Sequence, residues 1–354
     1  MLQNFLEHLN GNERLEKLTV KNSNKPVTRK VNNKDDIIAA LQRQQPSGAV
    51  PIWELEFHLW DIASGRHVVL GEEFNSLSAA EQDKALHTNA EIFLTVAKDM
   101  HFAAITVPSR YWEISPGEPA YFWLADEPRF RQIQILKKMV PPDLMLIAGE
   151  GALIAMPAAN EYMEFSYKLF DAPREIDLRA EKTFDYGMEN AKKLFDYGIE
   201  AIFTPSDIAD NHGPFFNTEQ MDRFILPYLS RWAKEVKAMG AYAILHSDGN
   251  LTPCLEAIAD SGIDALQAID PTAGMDIVKT KEQVGDRLCL CGNIDCGLVL
   301  TAAERQIYDA VQKLIADCRD GGGLVLGCSN VLQAQTPIEN YMAIIQAWKD
   351  HGQY

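Results

Sequence analysis

The sequence is short of cysteine, short of positive charge and without any long apolar run. Six cysteines in 354 residues, Cys254, Cys289, Cys291, Cys296, Cys318 and Cys328, are too few for a disulfide scaffold. They are expected as free thiols, metal ligands or catalytic groups in a reducing compartment. No window approaches the roughly 18 uncharged apolar residues of a membrane span. The opening MLQNFLEHLNGNERLEKLTV places Glu7, Asn10 and Glu13 where a secretion signal needs an unbroken apolar core, so a cytoplasmic location is expected. Positive charge is scarce: 33 Lys and Arg stand against 50 Asp and Glu, a net charge of −17. Such a field repels phosphate backbones and anionic lipid, so neither nucleic acid nor membrane is an expected partner. Anionic small molecules stay open, because a local pocket can oppose the net field.

What is present is an ordinary globular composition, 47% hydrophobic and 23% charged. The length suits two average domains or one large α/β barrel. Residues 1–36 stand apart, with a net charge of +2 against −19 for residues 37–354. Their stretch KNSNKPVTRKVNNKDD is polar and without period, so a short helix near 2–9 and then an extended arm are expected.

From there one unit recurs: a short apolar run, a loop, an amphipathic helix. The runs are AVPIWELEF (49–57), FAAITV (102–107), DLMLIAG (143–149), IEAIFT (199–204), AYAILH (241–246), IDALQAI (263–269), RLCLCG (287–292) and GLVLG (323–327). None alternates strictly with polar residues, as befits strands buried on both faces of a parallel sheet. The helical patterns between them often end in Gly, the left-handed helix stop. Eight strands alternating with helices predict a single (β/α)8 TIM-type barrel over 37–354 with a short N-terminal extension. An open sheet with one strand miscounted is the competing architecture.

In such a barrel the chemistry gathers at the carboxyl ends of the strands. The residues expected there include Trp53, Glu54, Glu56, His58 and Trp60 after the first run, and Tyr111 after the second. Asp207 follows the fourth run, His246 and Asp248 the fifth, Asp270 the sixth, Asn293 the seventh and Cys328 the eighth. His246 and Asp248, two apart on extended chain, point the same way. With a thiolate from Cys328 they can form an open zinc site with one free position. A hydrogen-bonded His–Asp loop pair beside a buried free thiol accounts for the same residues. No phosphate cradle is present: GEGALIA (149–155) is not GxGxxG, and GGGLVLG (321–327) precedes a strand. The dense aromatics of the first third serve either as core filler or as walls for a flat or methylated ligand.

The segments GPFFNTEQMDRFILPYLSRW (213–232), AILHSDGNLTPCLEAIADSGIDALQAIDPTAGMDI (243–277), LCGNID (290–295) and GGGLVLGCSNVLQAQTPIENYMAII (321–345) together resemble the uroporphyrinogen decarboxylase superfamily. That superfamily includes corrinoid-dependent, that is cobalamin-linked, methyltransferases, and the resemblance implies a (β/α)8 barrel. Porphyrinogen decarboxylases of the family carry an RQAGR-type arginine clamp after the first strand, where this chain reads ELEFHLWDIASGR. A polycarboxylate would there meet Glu54 and Glu56. The methyltransferase branch often binds zinc through His-x-Cys after strand five and a Cys after strand eight; here His246 and Cys328 match and Asp248 replaces the first Cys.

The resemblance therefore implies a methyltransferase moving a methyl group from a small methylated donor, such as a methoxylated aromatic, to a separate corrinoid protein. His246, Asp248 and Cys328 would hold zinc or polarise the donor, which suits an ether or an amine. Glu54, Glu56, Asp207 and His246 would supply the acid–base chemistry. Trp53, His58, Trp60, Tyr111 and Asn293 would line the substrate pocket. Family members are often dimers, so a homodimer is implied. The alternatives are a metal-free decarboxylase or lyase of a small acid, and a non-catalytic partner of the corrinoid protein.

Overall fold

Apolar runs without polar alternation fold here into a curled parallel sheet whose two faces are both covered. The computed structural model describes residues 34–108 and 124–354. The described residues all belong to one compact unit, Val31–Tyr354. The helix expected near 2–9 and Tyr111 lie outside the described residues.

The strands are β1 (Ala104–Thr106), β2 (Met145–Gly149), β3 (Ala201–Pro205), β4 (Ala209–Asp210), β5 (Gly213–Pro214), β6 (Tyr242–His246), β7 (Ala265–Gln267), β8 (Cys289–Cys291) and β9 (Leu324–Val325). Seven of them pair in the order β1-β2-β3-β6-β7-β8-β9, all parallel, while β4 and β5 form a small antiparallel ribbon after β3. Ile52 bridges both Phe102 and Leu326 in parallel sense and closes the ring. Ala103 N–H donates to Ile52 O at 2.9 Å, and Trp53 N–H to Leu326 O at 3.0 Å. The fold is thus an α/β barrel of the TIM type. Its first segment differs from the expected nine-residue strand. Pro51 has no N–H to give, and pairing there is confined to isolated bridges at Ala49, Ile52 and Phe57.

Alternate strand residues sort into two apolar clusters, as period two requires. Met145, Ile147, Phe203, Ile244 and Ala265 fill the lumen with Trp53 and Leu55. Leu146, Ala148, Ile202, Leu245 and Leu266 pack outward with the helices. The helix Lys34–Leu41 lends Ile37, Ala40 and Leu41 to the lumen cluster. Its Lys34 N–H is held by Asp143 O at 2.7 Å, just before β2 starts, so it stops the amino end of the barrel. Chemistry is left the opposite end. Among the described residues no helix is long and apolar enough to cross a membrane.

Candidate metal centre at the barrel mouth

Along β6 the lumen-facing positions are Tyr242, Ile244 and His246, so the imidazole tops the lumen. In register beside it on β7 stands Gln267. Gln267 is 2% exposed and His246 6%. His246 Nδ1 is hydrogen-bonded to Gln267 Oε1. Gln267 Nε2 donates to Cys328 O and Ser329 O, each at 3.2 Å. The other imidazole nitrogen, Nε2, faces Asp207 Oδ1 at 3.8 Å.

Asp207 follows β3, and its Oδ1 accepts the Asp248 N–H at 3.0 Å. Asp248 in turn accepts from the Asn330 side chain. Gly249 then turns the chain at φ +87°, where a Cβ would sit 2.4 Å from Ala209 O, so only glycine fits. Its N–H donates to Asp270 Oδ2 at 3.2 Å, and Asp270 Oδ1 caps Thr272. Burial pushes the Asp248 carboxyl up to about 6, against the pull of the His246 charge and with the push of Asp207 and Asp270.

Ligand atoms of Asp207, His246 and Asp248 all lie within 4.8 Å of one another. One imidazole and two carboxylates fit a divalent cation with a position left open. Gln267 behind His246 and Asn330 behind Asp248 supply the outer hydrogen bonds that such ligands ordinarily have.

Cys328 is placed elsewhere. Its N–H donates to Glu54 Oε2 at 2.8 Å, and Tyr341 Oη donates to Glu54 Oε1 at 2.9 Å. The Cys328 thiol is pushed well above its usual range, first by hydrogen bonding with Cys296, then by burial and by the Glu54 charge. It is a neutral buried thiol, and its backbone rather than its sulfur serves the imidazole. Burial also pushes Glu54 up to about 7, although the Cys328 and Tyr341 hydrogen bonds oppose it.

Glu54 and Glu56 line a recess with Phe57, Trp60, Phe102, Ala104, Ile105, Thr106, Val107 and Pro108, without a Lys or Arg among these. His58 Nε2 pairs with Glu56 Oε2 at 3.2 Å. Trp60 stacks edgewise on Phe57 at 4.9 Å and meets Phe93 at 4.9 Å, so one ring serves both recess and core. Asn293 Nδ2 donates to Ile269 O at 2.9 Å and ties the β7 and β8 loops together. Trp53 lies in the lumen, 2% exposed, its Nε1 on Thr106 Oγ1 at 2.9 Å and its ring 6.2 Å from Phe203. Trp53→Ala is therefore expected to cost about 3–5 kcal/mol in urea unfolding, the range for truncating a buried aromatic. A loss under about 1 kcal/mol would remove Trp53 from the core.

Sequence reasoning missed Gln267, Asn330 as the partner of Asp248, and Tyr341. Gln267 had a signal: a polar amide inside the apolar run IDALQAI, where a buried polar group needs partners.

Residues 128–351 match the family model described as Uroporphyrinogen decarboxylase (URO-D). A uroporphyrinogen decarboxylase of Coxiella burnetii (strain RSA 493 / Nine Mile phase I) is 33% identical over 141 residues, 39% of this chain and 38% of that protein. One from Methylococcus capsulatus is 27% identical over 225 residues, 61% of this chain and 62% of that protein. The matched stretches thus span less than two thirds of these curated relatives. A solved methyltransferase from Methanosarcina mazei superposes with a TM-score of 0.65, at 18% identity, over 90% of this chain and 98% of that one. At that identity the likeness concerns the fold.

Proposed function

The chain belongs to the uroporphyrinogen decarboxylase family, and from that premise we propose that it acts in methyl transfer rather than porphyrinogen decarboxylation. It takes a methyl group from a small donor, a methoxylated aromatic, and delivers it to Co(I) of a corrinoid on a separate protein. The observation that carries this is the Asp207–His246–Asp248 cluster at the barrel mouth. The acidic recess supports the choice against porphyrinogen, since Glu54 and Glu56 with no Lys or Arg among the lining residues repel a polycarboxylate. The Methanosarcina mazei methyltransferase, alike in fold, is consistent with it.

Asp207, His246 and Asp248 would hold zinc, which supplies Lewis acidity toward the donor oxygen. His246 offers Nε2, because Gln267 occupies Nδ1. Phe57, Trp60 and Phe102, which line the recess, would wall the apolar part of the donor. Glu54, its carboxyl raised by burial to about 7, can carry a proton near neutral pH and release it to a leaving phenolate. The balance is one aryl methyl ether, one Co(I) and one proton in; one phenol and one methyl–Co(III) out.

The test combines elemental analysis of protein purified without added metal with incubation of methoxylated aromatics and cob(I)alamin. About one zinc per chain and methylcobalamin formed with release of the phenol are expected. Carbon dioxide released from uroporphyrinogen by metal-free protein, with no methylcobalamin from any donor, would overturn the proposal.

A further inference from the structure

We infer that Gln267 is a positioning residue that decides which nitrogen of His246 carries the ring proton, and so aims the Nε2 lone pair at Asp207 and Asp248. Cys328 O and Ser329 O can only accept, and both lie 3.2 Å from the same Gln267 nitrogen. That atom is therefore the NH2 group, with both hydrogens engaged, and the amide cannot be turned over. The oxygen is left facing His246 Nδ1. An oxygen that only accepts requires a hydrogen on Nδ1, and a neutral imidazole with Nδ1–H has its lone pair on Nε2.

The anchor behind Gln267 is fixed from its far side. Glu54 Oε2 takes the Cys328 N–H at 2.8 Å, and Tyr341 holds the other Glu54 oxygen. Five residues from five parts of the barrel thus form one hydrogen-bonded line: Tyr341, Glu54, the Cys328 backbone, Gln267 and His246. This explains why a polar amide stands in a lumen otherwise lined by Ile244, Ala265 and Cys291. A Gln that merely satisfied two carbonyls would not need to meet the imidazole.

The inference deepens the proposed metal site, and its first readout is independent of that site. Metal-free protein labelled with 15N-histidine would be examined by NMR at a pH above the titration of the ring. In the wild type, the His246 resonances are expected to show hydrogen on Nδ1 and none on Nε2. Gln267→Met, similar in volume but unable to accept or donate at that point, is expected to give a mixture of tautomers. Zinc affinity should fall about 10–100-fold in Gln267→Met, the usual loss for an outer-shell partner.

Hydrogen on Nε2 in the wild type, or an unchanged tautomer in folded Gln267→Met, would overturn the inference. Should Gln267→Met fail to fold, the wild-type assignment alone decides, and hydrogen on Nε2 would overturn the inference. A wild type that keeps the expected tautomer but binds no zinc would instead sink the metal site and leave the positioning role standing.

Discussion

Replacing His246 with Ala is expected to empty the metal centre and to lower methyl transfer by about 10²–10⁴-fold, equivalent to roughly 3–5 kcal/mol of transition-state stabilisation. His246 is the single nitrogen donor in the cluster and the residue on which Gln267 and Asp207 both converge. Asp207→Asn and Asp248→Asn should each weaken zinc while leaving the fold intact, since both side chains lie at the mouth rather than in the lumen. The informative comparison is Cys328→Ser. The family resemblance implies His246, Asp248 and Cys328 as ligands, whereas the geometry joins Asp207 to His246 and Asp248. Zinc content per chain separates the two. Retention in Cys328→Ser with loss in Asp207→Asn is expected. The reverse pattern would return the sulfur to the ligand set and remove Asp207.

Glu54 dominates a second effect, on stability. Its carboxyl is raised from 4.5 to about 7, chiefly by burial, so the folded protein binds its proton more tightly than the unfolded chain does. The contribution is fully present below the unfolded value and is lost as pH rises through about 7. A shift of that size corresponds to roughly 3 kcal/mol. In metal-free protein Asp248, raised from 3.8 to about 6, acts in the same direction, so that form is expected to weaken as pH rises from mildly acidic to neutral. Glu54→Gln removes the ionisation but keeps one oxygen for Cys328 or Tyr341. Its urea-unfolding free energy should lose most of the Glu54 part of this decline, leaving the Asp248 part. Identical pH slopes in the two proteins would show that Glu54 is not a buried acid with a raised pKa.

Much of the architecture was legible from periodicity. All eight apolar runs lie on the barrel ring, and AAEQDKALHTNAEIFLTVAKDM became the helix Ala79–Asp99. The helical pattern NTEQMDRFILPYLSRWAKEVKAMG (217–240) folds as three pieces, Thr218–Gln220, a π-helical turn Met221–Ile225 and Leu226–Met239. Pro227 explains it: with no N–H to offer the preceding turn, the ladder must shift there. The helices Tyr162–Asp171 and Ile277–Val284 were not foreseen, because each is short. The ribbon of β4 and β5 escaped for the same reason, being two residues per strand.

The site divides along a similar line. His246 and Asp248 share a strand end, so spacing alone aimed them at one point, and that depends only on the geometry of extended chain. The acidic first segment, with Glu54 and Glu56 where the family's porphyrinogen decarboxylases carry arginines, likewise argued against a polycarboxylate substrate. Tertiary structure decided which third residue joined them. Asp207, at the end of β3, reaches His246 because β3 and β6 are neighbours in register, Pro205 opposite His246. Cys328, though it follows the strand that closes the ring, turns its sulfur toward Cys296 and Glu54. Periodicity tells which face of a strand a side chain occupies. Which residues from positions 207, 246, 267 and 328 meet is settled by strand order, register and the rotamers that dense packing allows, and no local pattern encodes those.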